Sequence, residues 1–131
     1  MRILLPVLAC ALTGCAASAT PQNDARDEAK LAAALAGLTP QKPVSCIDNY
    51  GSASIKAYGA TILYEVGRGL VYRTETGGGC EKVGRGDVLV TRSISGRLCS
   101  GDIAQTYDST SRFLTGSCSL GAFTPYRKVA Q

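Results

Sequence analysis

The chain shows three successive patterns of apolar and polar positions. Residues 3–12 are almost all apolar, and residues 24–38 repeat leucine at the i, i+4, i+7 spacing of one helix face. From residue 44 onward, apolar and polar positions alternate with a period of two, which is typical of strands. We therefore expect an apolar leader, one short helix and a β domain, in that order.

The helix predicted over residues 24–38 has a clear start signal. Asn23 or Asp24 can cap its first turn, and further carboxylates in that turn favour the positive end of the helix dipole. Its leucines form a narrow stripe in a mostly alanine segment. This stripe favours a helix laid on the domain or a simple spacer, whereas the alternative is a helix that binds a partner or a membrane surface.

The β domain opens with a predicted hairpin. Residues 61–66 and 70–76 alternate and flank the turn Gly67-Arg68-Gly69. Six further strand candidates are residues 44–47, 54–58, 87–94, 103–108, 113–118 and 125–129. Glycine-bearing breakers, among them Gly121, separate most of them. The sequence therefore predicts a mainly β fold: a small antiparallel barrel or sandwich of six to eight short strands, stapled by disulfides and preceded by one short helix.

Pairing that is symmetric about the turn fixes the faces of this hairpin. It places Glu65 opposite Val71 and Glu75 opposite Thr61. Tyr64 then falls on the core face, and the two carboxylates share a mixed, partly solvated face. They lie four residues out of register, about 13 Å along the strands, which is unsuited to a catalytic carboxylate pair.

Composition removes several classes of function. The chain has 14 Lys and Arg against 10 Asp and Glu, and this excess is scattered without a basic run, which argues against nucleic-acid binding. It has no His, the commonest general base and metal ligand. We therefore expect no catalytic residues, no metal, no cofactor and no enzymatic activity.

The apolar leader ends in Leu12-Thr13-Gly14-Cys15, which resembles the bacterial lipobox. The resemblance implies removal of residues 1–14 as a lipoprotein signal peptide and attachment of fatty acyl chains, such as palmitate, at Cys15. Each buried acyl CH₂ contributes about 0.8 kcal/mol to membrane binding. The alternative is an ordinary secretory signal that is cut after Ala17 or Ala19.

These signals divide the chain into three parts. Residues 1–14 are the signal peptide, residues 15–43 the lipidated tether, helix and linker, and residues 44–131 the β domain. Ala16 stands where an Asp retains lipoproteins at the inner membrane in enterobacteria. We therefore expect a lipid-anchored protein of the bacterial envelope, at the outer membrane and facing the periplasm.

Six cysteines are present, of which Cys10 leaves with the leader and Cys15 carries lipid. The remaining four are Cys46, Cys80, Cys99 and Cys118. An even number in an oxidising compartment predicts two disulfides, because a zinc site usually needs closely spaced cysteine pairs. Of the three pairings we prefer Cys46–Cys118 with Cys80–Cys99, and the other two remain open.

The segments around these cysteines resemble a family of small uncharacterised lipoproteins from proteobacteria. The residues that carry the resemblance are Val44-Ser45-Cys46-Ile47, Gly78-Gly79-Cys80, Leu98-Cys99-Ser100-Gly101-Asp102-Ile103 and Gly116-Ser117-Cys118-Ser119-Leu120-Gly121-Ala122-Phe123. The resemblance covers residues 44–126. It implies an exported, disulfide-bearing domain of unknown function and assigns no catalytic or binding residue.

We expect a domain without catalytic residues to bind its partner through loops on a rigid frame. Residues 77–85 and 121–127 are the best candidates, since they combine aromatic and cationic side chains beside predicted disulfides. The residues predicted to contact a partner are Lys82, Arg85, Phe123, Tyr126 and Arg127. In the alternative interpretation, Phe123 and Tyr126 close the end of a barrel.

The sequence therefore favours a lipid-anchored envelope module, non-enzymatic and either structural or ligand- or protein-binding. Its partners would be the membrane, through Cys15, and an envelope protein. The alternative is a periplasmic inhibitor of a wall-degrading hydrolase such as lysozyme. The Ser-Gly-x-x-Tyr loop signature of known lysozyme inhibitors is missing, since Ser95-Gly96 leads to Cys99.

We predict that a fatty-acid probe labels the wild-type protein in cells and that Cys15→Ser abolishes the label, because the thiol is the acceptor of the first lipid. Gel fluorescence of the immunoprecipitated protein measures the outcome. Equal labelling of both proteins would exclude lipidation at this residue.

Overall fold

The computed structural model describes residues 24–48, 50–67 and 69–129. Within them, the chain forms α1 (Ala25–Ala34), β1 (Thr39–Pro40), β2 (Cys46–Ile47), β3 (Ser54–Tyr58), β4 (Thr61–Gly67), β5 (Leu70–Thr76), β6 (Val88–Thr91), β7 (Leu98–Cys99), β8 (Ile103–Tyr107) and β9 (Leu114–Arg127). Two 3₁₀ segments, Tyr50–Ser52 and Glu81–Arg85, interrupt this series. The predicted leader with Cys15 and the turn residue Arg68 lie outside the described residues.

The strands form one bent antiparallel sheet in the order β3-β4-β5-β9-β8-β6, with β1 added beside β9. A separate ribbon pairs β2 with β7. Register shifts in the β4–β5, β5–β9 and β8–β9 pairs bend the sheet. The mainly β prediction is confirmed, and the structure selects a half-barrel whose edge strands β3 and β6 do not pair with each other within the described residues.

The hairpin of β4 and β5 has the register that the sequence predicts. Thr61 pairs with Glu75, and Glu65 pairs with Val71. The local alternation and the glycines of the turn are sufficient to specify this element, because both strands and their connection are contiguous in sequence.

Strand β9 runs without interruption for 14 residues, where the sequence predicted two strands separated by Gly121. That prediction is wrong because the glycines serve close packing. A Cβ at Gly116 would lie 2.0 Å from the carbonyl oxygen of Gly79, and one at Gly121 would lie 2.7 Å from that of Glu75.

The short elements differ most from prediction. The helix ends at Ala34, four residues before the predicted boundary, and its start is capped by Asp24, whose side chain accepts a hydrogen bond from the Asp27 amide at 2.8 Å. Strand β1 lies in the predicted linker, and β7 was not predicted. Each is a two-residue strand stabilised by its partner, so its own sequence carries almost no pattern.

The sheet separates two apolar clusters. The larger cluster includes Tyr64 and Phe123, whose rings meet edge to face at 6.1 Å. The smaller cluster lies on the other face, where Leu31 of α1 packs against Leu63 and Val71. The predicted helix laid on the domain is therefore confirmed. The prediction of a mixed, partly solvated face is confirmed, because α1 covers Leu63 and Val71 whereas the side chain of Glu75 on the same face is 56% exposed.

The four cysteines form two disulfides, as predicted, but the preferred pairing is wrong. The bonds are Cys46–Cys99 and Cys80–Cys118. Antiparallel pairing of β2 with β7 places Cys46 directly opposite Cys99. The segment before Cys80 packs closely against β9, and this packing places Cys80 next to Cys118. In the loop-entropy view each bond contributes about 4 kcal/mol.

We predict that a mild reductant opens Cys46–Cys99 first in the folded protein, because these two residues are half-buried whereas Cys80 and Cys118 are buried in the core. Alkylation followed by peptide mass spectrometry identifies the thiols released at each time. Earlier alkylation of Cys80 and Cys118, under conditions where the fold is retained, would contradict the order.

Candidate functional site

The predicted binding loop at residues 121–127 is the second half of β9. Phe123 is fully buried in the larger cluster, so its prediction as a partner contact is wrong. Tyr126 is half-buried and packs against the smaller cluster beneath α1. Both aromatic residues therefore stabilise the domain, because β9 directs them towards opposite faces of the sheet. The interpretation of these residues as core is confirmed for Phe123 and holds in part for Tyr126.

Three predicted contact residues, Lys82, Arg85 and Arg127, are exposed. The structure does not bring them together. Lys82 and Arg85 lie on the 3₁₀ segment Glu81–Arg85, and Arg85 borders a groove of about 500 Å³ that is shared with the start of α1. Arg127 pairs with Leu70 at the opposite end of β5. The predicted set therefore splits between two ends of the domain.

Neither hairpin carboxylate is placed for acid–base chemistry. Glu65 accepts a hydrogen bond from the Lys56 ammonium at 2.9 Å, and Glu75 accepts from Arg73 and from the Thr61 hydroxyl, both at 2.7 Å. Both carboxylates are thus held by cationic or hydroxyl donors in separate places. The contact with Glu65 also raises the pKa of Lys56 through a hydrogen bond and charge attraction.

Asp102, just before β8, stabilises the turn that follows β7, because its carboxylate accepts a hydrogen bond from the Cys99 amide at 2.8 Å. Asp87 accepts from the Thr115 hydroxyl. Among the described residues, no cluster of His, Cys, Asp and Glu has the arrangement of a metal site. The hydroxyl of Tyr64 has no hydrogen-bond partner within this part of the chain, and burial raises its pKa.

A groove of about 460 Å³ lies at the end of the sheet away from the start of α1, and we name it the distal groove. Its walls come from the segment before β3 and from the ends of β4, β5 and β9. The lining residues are Gln41, Lys42, Val44, Cys46, Ile47, Asp48, Val66, Leu70, Tyr72, Pro125 and Arg127. The groove therefore combines an apolar and aromatic lining with charged residues at its border.

The distal groove is rigid and carries uncompensated positive charge. The Gln41 amide donates to the Pro125 carbonyl at 2.8 Å, and Val44 exchanges two hydrogen bonds with Phe123. Asp48 is engaged by Arg97 at 2.7 Å. Lys42 and Arg127 make no ion pair with any other described residue. Such fixed walls limit the entropy lost when a ligand binds.

A second surface is exposed and apolar. We name as the outer face the outward side chains Val88 and Val90 of β6, Ile103 and Tyr107 of β8, and Leu114 of β9. Val88 is 51% exposed and Leu114 is 56% exposed. A groove of about 530 Å³ on this face is bordered by Arg112. Contiguous apolar surface of this kind marks an interaction site.

The hairpin between β8 and β9, residues 108–113, is the tip of this surface. Asp108 fixes it by accepting hydrogen bonds from the amides of Ser111 and Thr110 and from the Ser111 hydroxyl, which lower the pKa of its carboxyl. Arg112 has a left-handed backbone with φ of 62°. This conformation costs about 1–2 kcal/mol in a residue other than glycine. Phe113, next along the chain, is 76% exposed.

The sequence predicted one residue of these surfaces, Arg127 at the border of the distal groove, and missed the rest of both. The distal groove joins segments that are far apart in the chain, so no local pattern announces it. The outer face did leave a signal, since Val88-Leu89-Val90 is apolar at three consecutive positions. An alternating strand can bury only one face, and Leu89 packs inward. The two flanking valines therefore had to be exposed or covered by something else.

Comparison of the chain with models of protein families, with curated proteins and with solved structures found no match. The resemblance to the proteobacterial lipoprotein family thus stays a prediction. In the part of the chain that the structure describes, no helix has the length and hydrophobicity that a membrane span requires.

We predict that Tyr126→Ala lowers stability much more than Arg127→Ala. Loss of the Tyr126 ring leaves a cavity under α1 and costs about 2 kcal/mol, whereas Arg127 is exposed and its loss changes stability by no more than about 0.5 kcal/mol. Thermal unfolding of the two variants measures the difference. Equal melting temperatures would contradict the placement of Tyr126.

Proposed function

We propose that the protein is a lipid-anchored, non-enzymatic binding module of the bacterial envelope, at the outer membrane and facing the periplasm, which holds a protein partner in the distal groove. The observation that carries the proposal is the pair Lys42 and Arg127, two cations without an ion-pair partner among the described residues, at the border of an apolar groove. Anchor residues of interfaces have this mixture of aromatic, aliphatic and cationic side chains.

The lining residues of the distal groove indicate which kind of partner segment would bind there. Tyr72, Leu70 and Val44 offer apolar and aromatic surface, and the two cations favour carboxylates. The partner segment is therefore a short stretch of protein with apolar side chains flanked by Asp or Glu. A cleft of about 460 Å³ takes a few side chains of such a segment.

Two arrangements support a binding role over catalysis. The carboxylates Glu65 and Glu75 each have their own donors, so neither is available as a general acid or base without breaking those contacts. At the border of the distal groove, by contrast, the cations Lys42 and Arg127 have no ion-pair partner among the described residues. The two cations therefore favour recognition of a negatively charged partner.

We predict that the double variant Lys42→Glu with Arg127→Glu loses capture of the partner from detergent-solubilised envelopes while its melting temperature is nearly unchanged. Both side chains are exposed and lie outside the core, whereas reversed charges repel the acidic partner. Quantitative mass spectrometry of cross-linked eluates measures the capture.

The matched control is Arg26→Glu with Lys30→Glu, which makes the same change of net charge on exposed positions of α1. A protein that is captured by wild type and by this control but lost from the groove variant supports the proposal. Equal loss in both variants, or retention in both, contradicts it. A wall hydrolase as the groove-dependent partner would indicate the inhibitor role, and a porin or assembly factor a structural one.

A further inference from the structure

The hairpin tip and the outer face expose several large apolar side chains. Phe113, Leu114 and Val88 are each more than half exposed. Val88 pairs with Tyr107, and Tyr107 pairs with Leu114, so these side chains form one continuous surface. Exposed apolar side chains that adjoin one another in this way are typical of a protein or membrane contact.

The tip lies at the same end of the domain as the start of α1. Asp24 and Asp27 border a groove together with Glu81 and Arg85 of the second 3₁₀ segment. Two residues after that segment, β6 begins at Val88. Val88 pairs with Tyr107, the last residue before the tip. The distal groove is at the other end of the domain. Strand β5 begins at Leu70, which lines the distal groove, and runs towards the β3–β4 turn, which lies beside the start of α1.

The chain length between the proposed lipid and α1 limits the position of this end. Eight residues, 16–23, separate Cys15 from Asp24, and a chain of that length spans at most about 30 Å. If Cys15 carries the lipid, the start of α1 stays within about 30 Å of the membrane, so the tip beside it can reach the bilayer. The distal groove remains on the far side of the domain.

The chemistry of the tip fits a bilayer surface. Phe113, Leu114 and Tyr107 are of the types that enter the interface between headgroups and acyl chains. Arg112 and Lys82 are exposed beside them and can contact anionic headgroups. The hydrogen bonds to Asp108 hold the tip in one conformation, which limits the ordering entropy that docking requires.

We propose that residues 108–114 and the adjoining part of the outer face dock onto the lipid surface of the membrane that anchors Cys15. The inference rests on the proposed function, because the orientation argument requires the lipid at that residue. Docking at two points, the acyl chains and the tip, holds the domain upright and presents the distal groove to the periplasm.

Depth-dependent quenching of a single tryptophan tests the inference, because the chain has no Trp. Phe113→Trp is compared with Val129→Trp, another exposed apolar position, at the distal end of the domain beyond β9. Each full-length lipidated protein is reconstituted in phosphatidylethanolamine–phosphatidylglycerol vesicles with brominated acyl chains. We expect a blue shift and loss of most of the fluorescence at position 113, and little change at position 129.

Four other outcomes would overturn the inference. Equal quenching at both positions would mean that the domain has no fixed orientation. An unquenched residue 113, in a protein whose intact mass shows the acyl chains, would overturn docking while the proposed function stands. If a second copy of the protein, detected by cross-linking, shields residue 113 from the quencher, the outer face is a self-association surface. Absence of acyl chains from the mass would instead remove the lipid anchor and the orientation argument with it.

Discussion

The structure depends on the absence of a Cβ atom at two positions of β9. At Gly116 and Gly121, carbonyl oxygens of neighbouring segments occupy the space that a side chain would need. This allows one strand to pair with β5 along one half and with β8 along the other. The two halves of the sheet therefore share a single strand, and the Cys80–Cys118 bond fixes the segment that approaches it.

The same strand distributes stability and binding between different parts of the molecule. Phe123 fills the larger cluster and Tyr126 the smaller one, so β9 contributes to both faces of the sheet. Its C-terminal end borders the distal groove, and its N-terminal end begins at the exposed hairpin tip. A domain with one rigid strand between two exposed surfaces can hold them at a fixed separation, which suits a module that contacts a membrane and a partner at once.

The elements that depend on neighbouring residues could be predicted from the sequence. The β4–β5 hairpin has the predicted register because its strands and turn are contiguous, and Asp24 caps α1 as one of two predicted residues. The even number of cysteines in the β domain, four, predicted two disulfides. The burial of Tyr64 also followed from the period of two, since alternation assigns each side chain of a strand to one face.

Which distant segments meet could be seen only in the folded domain. The cysteine pairing follows from β2 lying beside β7, and a sequence cannot show which short strands will pair across 53 residues. Gly121 reads locally as a breaker, yet close packing against Glu75 keeps it within a strand. Phe123 and Arg127 carry the same local signal for binding, and only one is exposed. Burial depends on what covers a side chain, and the covering residues lie far along the chain.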